Sequence, residues 1–126
     1  MRTNRRLDSG FTLVEIMIVV AIISLLTVIA IPNFVRARTT TQRNACINNL
    51  RQIFGVKQQW ALEYKAGTNA TPTLADVTSY LKQPLVCPAG GSSATFSSSY
   101  NMNDVGTRPT CKVVAEEHTL TEDTTN

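Results

Sequence analysis

A single carboxylate, Glu15, stands inside an otherwise uncharged apolar run, Phe11 to Ile31, that reads FTLVEIMIVVAIISLLTVIAI. An acid in that setting costs several kcal/mol unless it is paired, protonated or close to an interface. Its chemistry is therefore ion pairing: Glu15 either reaches headgroups and water from its place four residues into the block, or meets a cation. The second reactive set is three cysteines, Cys46, Cys87 and Cys111. Three thiols without a CxxC or Cys/His spacing do not read as a zinc site, and no metal ligand set is assigned. They fit an oxidising compartment with one disulfide and one cysteine over. Cys87 and Cys111 flank an expected hairpin and are the preferred pair, closing a loop worth about 3 kcal/mol in the chain-entropy model. Cys46 reads as a small buried apolar residue, although all three pairings stay open. His118 is the only histidine and is expected at the surface or at a strand end. Nothing sets a base beside a nucleophile, and there is no GxxxxGK[ST] phosphate loop. The chain is read as having no catalytic residues, and any motor that acts on it is a separate protein.

The apolar block fixes the first element. Its 21 residues would span about 31 Å as a helix, close to the hydrocarbon thickness of a bilayer. That is longer than the roughly 7–15 apolar residues of an ordinary signal peptide, so a retained membrane helix is expected. Arg2, Arg5 and Arg6 precede it and favour a cytoplasmic N-terminus, while Arg36, Arg38 and Arg43 on the other flank oppose that orientation. The formal net charge is +3, and the first ten residues hold three cations against one anion, which leaves +1 for the rest. A charge confined to one tip gives little support for nucleic acid as a partner. Pro32 closes the block and predicts a kink, a local break or simply the end of the span.

Beyond it the helical pattern runs to about residue 65. Cys46, Ile47, Leu50, Ile53, Phe54, Trp60, Ala61 and Tyr64 fall on one face, with Lys57 intruding and expected to snorkel. Val56 and Leu62 lie off that face. Thr73 is placed to cap a short helix over 74–82. Segments 95–102 and 110–114 read as strands joined by a turn-rich loop over 103–109, and the tail after Leu120 is polar. The fold class is α+β: a long N-terminal helix, half membrane-spanning and half amphipathic, packed on a small C-terminal region with a short helix and a small antiparallel sheet. The parts are a leader, 1–10; a membrane half-helix, 11–31; an amphipathic half-helix, 32–66; and a small globular region with its tail, 67–126.

Ser9-Gly10-Phe11-Thr12-Leu13-Val14-Glu15 followed by the long apolar helix resembles the type IV prepilin signature. Residues 45–53, 58–63 and 87–91, with Pro109-Thr110-Cys111 and His118-Thr119-Leu120, resemble short prepilin-like proteins related to the major pseudopilin of type II secretion. The resemblance implies cutting after Gly10 and N-methylation of Phe11. It implies that Glu15 meets the Phe11 amine of a neighbouring subunit during assembly, and that the helix near Pro32 stretches in filaments. It further implies a homo-oligomeric helical filament, a prepilin peptidase, an inner-membrane platform protein and an assembly ATPase, with a secretin and minor pilins as further partners, and a place in the bacterial inner membrane before assembly. An α-amine with a pKa of about 7.7 is largely cationic at neutral pH, so such a pairing would neutralise two charges that are each costly alone. Major pseudopilins also bind calcium in a C-terminal loop. Asn101, Asn103, Asp104, Glu116 and Glu117 offer oxygens here without EF-hand spacing, so no cofactor is assigned. Secretion, adhesion, motility and DNA-uptake filaments share this design. A monomeric membrane-anchored binding domain, or a minor or competence pilin that contacts DNA or a surface, is the rival reading.

Overall fold

The computed structural model describes residues 9–121. Most of the expected leader and the end of the polar tail lie outside the described residues. The elements in chain order are α1 (Leu13–Glu63), α2 (Leu74–Thr78), a 3-10 turn (Pro88–Gly90), α3 (Phe96–Ser99), β1 (Tyr100–Asn101) and β2 (Thr110–Cys111). The α+β class expected from the pattern is the observed one. Packing divides the chain into two compact units, one ending at Ala37 and the other beginning at Arg38.

The first unit is the N-terminal stretch of α1. Thr12 starts the helix: its hydroxyl accepts from the Glu15 N–H at 3.2 Å, satisfying a donor that has no intrahelical partner, and its carbonyl accepts the first helical bond, from the Ile16 N–H at 3.3 Å. Ser24 and Thr27 turn their hydroxyls back onto the Val20 and Ile23 carbonyls, which hides the hydroxyls of an apolar surface. The helix is assigned without interruption through Pro32, so the anticipated break is absent. Asn33, next to the proline, donates to the Ile29 carbonyl.

The second unit is built on the remainder of α1. Cys46, Ile47, Leu50, Ile53, Lys57 and Ala61 are its buried positions, a helical spacing that matches the expected face. The core joins Cys46, Leu50 and Ile53 to Leu85, Cys87, Phe96, Tyr100 and Cys111. Tyr64 departs from expectation: it is exposed because α1 ends before it. Lys65 adopts φ 50, and the Ala66 N–H reaches back to the Ala61 carbonyl at 2.9 Å. This is a Schellman stop with lysine in the left-handed position.

The C-terminal elements are shorter than the pattern predicted. Thr73 caps α2 with a reciprocal Asp76 bond, as expected, but the helix stops at Thr78, not at residue 82. The Tyr80 and Leu81 N–H groups bond three residues back, so the segment before Pro84 unwinds into turns. Residues 95–102 were expected as a strand. Instead Thr95 and Ser98 cap each other and fold Phe96–Ser99 into one helical turn, since short hydroxyl side chains compete with a sheet ladder for the backbone. Only Tyr100–Asn101 remains extended, paired antiparallel with Thr110–Cys111 in the register Tyr100 to Cys111. The second expected strand, 110–114, is likewise reduced to two residues.

Candidate functional site

Two constellations carry chemistry. The first is the N-terminal end of α1. Phe11 is 83% exposed, and every residue from Ser9 to Thr41 is exposed, so no part of this apolar surface is covered by the described chain. The helix is long and apolar enough to cross a membrane by length and composition. Glu15 lies in its first turn, where the unpaired N–H groups of the helix end favour a carboxylate. A Cβ added at Gly10 would meet nothing within 4 Å among the described residues, so packing against them does not explain the glycine.

The second constellation is one the sequence did not reveal. The fold brings Cys46, Cys87, Cys111 and His118 together, all four buried, with one donor atom from each lying within 4.8 Å of the others. Each comes from a different element. Cys46 sits on the buried face of α1. Cys87 precedes the 3-10 turn, whose Gly90 N–H bonds its carbonyl at 2.9 Å. Cys111 is the inward residue of β2. His118 follows a turn closed by its own N–H on the Val114 carbonyl at 3.0 Å. Two bonds from the helix turn before Cys46 tie down the loops: Gln42 donates to the Pro88 carbonyl and Arg43 Nε to the Glu117 carbonyl at 2.9 Å.

The three cysteines are free thiols. The Cys87 and Cys111 sulfurs, the pair expected to be bonded, are neighbours at 3.7 Å. His118 is 4% exposed, not the surface residue anticipated. Its Nδ1 lies 3.6 Å from the Cys87 sulfur and 3.9 Å from that of Cys111. Asn49 Nδ2 donates to the Tyr100 hydroxyl at 2.9 Å, and Tyr100 packs in the same core as Cys46. Burial pushes the Cys46 thiol far above its ordinary range, with the Tyr100 hydroxyl opposing. Burial also raises Cys87, against the Ala89 N–H, and lowers His118. Burial thus favours the neutral thiol at Cys46 and Cys87 and the neutral imidazole at His118.

Lys57 is the other departure. It was expected to snorkel, yet it is fully buried and donates to the carbonyls of Met102 at 2.6 Å, Asp104 at 2.8 Å and Thr107 at 2.6 Å. Burial brings its pKa down to about 8, with Asp104 opposing, so it remains largely charged at neutral pH. The cation among these loop carbonyls is the lysine's own. Asn103 donates to the Arg108 carbonyl, and Asp104 Oδ1 accepts from the Thr107 N–H, so both side chains are engaged in shaping the loop.

The model of the prokaryotic N-terminal methylation motif matches residues 5–31. The chain is 38% identical over 85 residues to the competence protein ComGC of Bacillus subtilis (strain 168), which covers 66% of this chain and 84% of that protein. The ComG operon protein 3 homolog of Bacillus licheniformis is 29% identical over 85 residues, with the same coverage of both chains. The type IV major pilin protein PilA of Myxococcus xanthus (strain DK1622) is 41% identical over 62 residues, 49% of this chain but only 28% of that protein. The chain belongs to the type IV pilin-like family that carries the prepilin methylation motif. No solved structure matches it.

Proposed function

We propose that this protein is a structural subunit, a pilin or pseudopilin, that polymerises through its N-terminal helix after cutting behind Gly10 and N-methylation of Phe11. The observation that carries the reading is the uncovered apolar surface of α1, exposed throughout and bearing one carboxylate in its first turn. Such a surface needs lipid, and then the helices of other subunits, to leave water. A glycine whose added Cβ would meet no described neighbour at position 10 suits a backbone that a peptidase must approach closely. The chain is inserted with its N-terminus in the cytoplasm and its C-terminal unit across the inner membrane. A platform protein and an assembly ATPase drive its incorporation, with a secretin or minor pilins as further partners. None of the relatives' names is that of an enzyme, in keeping with a structural role.

Glu15→Val tests this reading. Removing a membrane carboxylate eases insertion, so a monomeric anchor would tolerate the change. A filament subunit instead leaves the neighbouring Phe11 amine in an apolar layer without its partner. The expected outcome is normal membrane level and normal cutting at Gly10, with the variant lost from sheared or cross-linked filaments. Incorporation equal to wild type would reject the pairing.

A competence filament is the second reading, favoured by the 38% identity to a competence protein over 84% of its length. Deletion should then abolish uptake of added DNA in the native host and leave secretion and surface motility intact. The reverse pattern would assign the subunit to a secretion or motility filament.

A further inference from the structure

We propose that Cys46, Cys87, Cys111 and His118 form a closed tetrahedral site for zinc, which staples the C-terminal loops to the Cys46 turn of α1. Zinc–thiolate bonds of about 2.3 Å and zinc–imidazole bonds of about 2.0–2.1 Å place tetrahedral sulfurs about 3.8 Å apart, and a sulfur and a nitrogen about 3.6 Å apart. The observed separations are 3.7 Å between the Cys87 and Cys111 sulfurs, and 3.6 and 3.9 Å from these sulfurs to His118 Nδ1. Cys46 Sγ completes the set, within 4.8 Å of each of the others. A bonded pair of sulfurs would lie at about 2.0 Å, so the three measured edges fit a shared central ion and not a two-residue link.

The chemistry of the donors selects the ion. Three thiolates and one imidazole are soft ligands that suit zinc and exclude calcium and magnesium, which take oxygen. Four buried protein ligands leave no open position for water or substrate, the mark of a structural centre and not a catalytic one. Binding converts three thiols to thiolates and releases three protons to solvent. His118 coordinates through the Nδ1 lone pair and keeps its proton on Nε2. The dication with three thiolates leaves one net negative charge at the centre. The four ligands arrive from α1, the loop before the 3-10 turn, β2 and the last turn, elements whose hydrogen-bonded ladder is only two residue pairs long. A unit with so little sheet gains its order from a cross-link.

The test uses the full-length chain purified from native membranes in mild detergent, without reductant or chelator. Metal content by mass spectrometry and a non-reducing peptide map are measured on the same sample. The expected result is one zinc per chain with all three cysteines alkylated as thiols after denaturation. Replacing zinc by Co2+ should give the thiolate-to-cobalt charge-transfer bands and the intense visible bands of a tetrahedral site. His118→Ala should shift those bands and weaken metal retention against a chromophoric chelator, by more than the roughly 10- to 100-fold that loss of an outer-shell partner costs. Cys46→Ser should do the same, although neither change touches a bond between Cys87 and Cys111. The wild-type stoichiometry and cobalt spectrum decide the matter even if a variant fails to fold. Metal-free native protein with Cys87 linked to Cys111 would overturn the proposal, as would a cobalt spectrum that survives both substitutions unchanged.

Discussion

Lys57 shows how one residue type can invert its expected role. On a helix face that otherwise buries apolar side chains, an ammonium should be driven to the rim. Here the loop over 102–107 presents three carbonyls to it, and the three protons of the ammonium match them one to one. The side chain therefore satisfies three carbonyls that the loop would otherwise leave buried without a donor. Lys57→Met keeps the stem and removes the donors, stranding three carbonyls. We expect it to destabilise the C-terminal unit by about 3 kcal/mol, read as earlier thermal unfolding by near-UV dichroism. Hydrogen exchange should rise first at Val105 and Gly106, whose N–H groups bond the Ala70 and Thr68 carbonyls. Unchanged exchange in that loop would mean that its own turn bonds suffice. Glu15 makes the opposite case: its environment in the chain is plain, and its importance is argued from what the chain alone cannot supply.

At the scale of elements, α1 organises everything that follows it. Its buried face supplies Cys46, Leu50 and Ile53 to the core, and a Leu50→Ala change, at a side chain with no exposure, should cost about 2–5 kcal/mol. Chemical denaturation of the detergent-solubilised chain measures it. The helix end offers a gain instead. Lys65 holds a positive φ of 50, a conformation that costs an L-residue roughly 1–2 kcal/mol and glycine almost nothing. Glycine also loses more chain entropy on folding, so Lys65→Gly should stabilise the unit by only about 0.5–1 kcal/mol. A loss of stability would show that the lysine side chain makes a contact worth more than the strain. The expected strands shrank for a related reason: Thr95 and Ser98 satisfy each other locally, and local bonds form without the loop-closure cost of a ladder.

For the whole molecule, the family membership and the uncovered helix make processing the most direct measurement. Intact-mass analysis of protein from its native host should show a chain that begins at Phe11 and carries one extra methyl group. A mature form that retains Met1 to Gly10 beside an active prepilin peptidase would break the link between the motif and its chemistry. The two compact units also predict separable phenotypes. Changes at Glu15 should abolish assembly with the C-terminal unit still folded, and changes at Leu50 or Lys57 should lower stability with leader cutting intact. Limited proteolysis and leader-cleavage assays on the same variants distinguish the two.

The amino-acid sequence by itself determined that the chain opens on the methylation motif and a helix of membrane length. An apolar run, its one acid, the glycine before Phe11 and the basic tip are contiguous, so their meaning needs no folding to assemble it. The buried stripe of α1 was legible for the same reason, because a helical period is a local property. The sequence could not determine the cysteine–histidine cluster. Cys87 and Cys111 are 24 residues apart and Cys111 and His118 are 7 apart, with Cys46 on a helix far upstream, so no short spacing announces a shared centre. Only the tertiary structure decided it. Docking of a loop, a short strand and a turn against one helix face brings four polarisable donors into one buried pocket. There the cost of burying them is lowest when they hold a common ion.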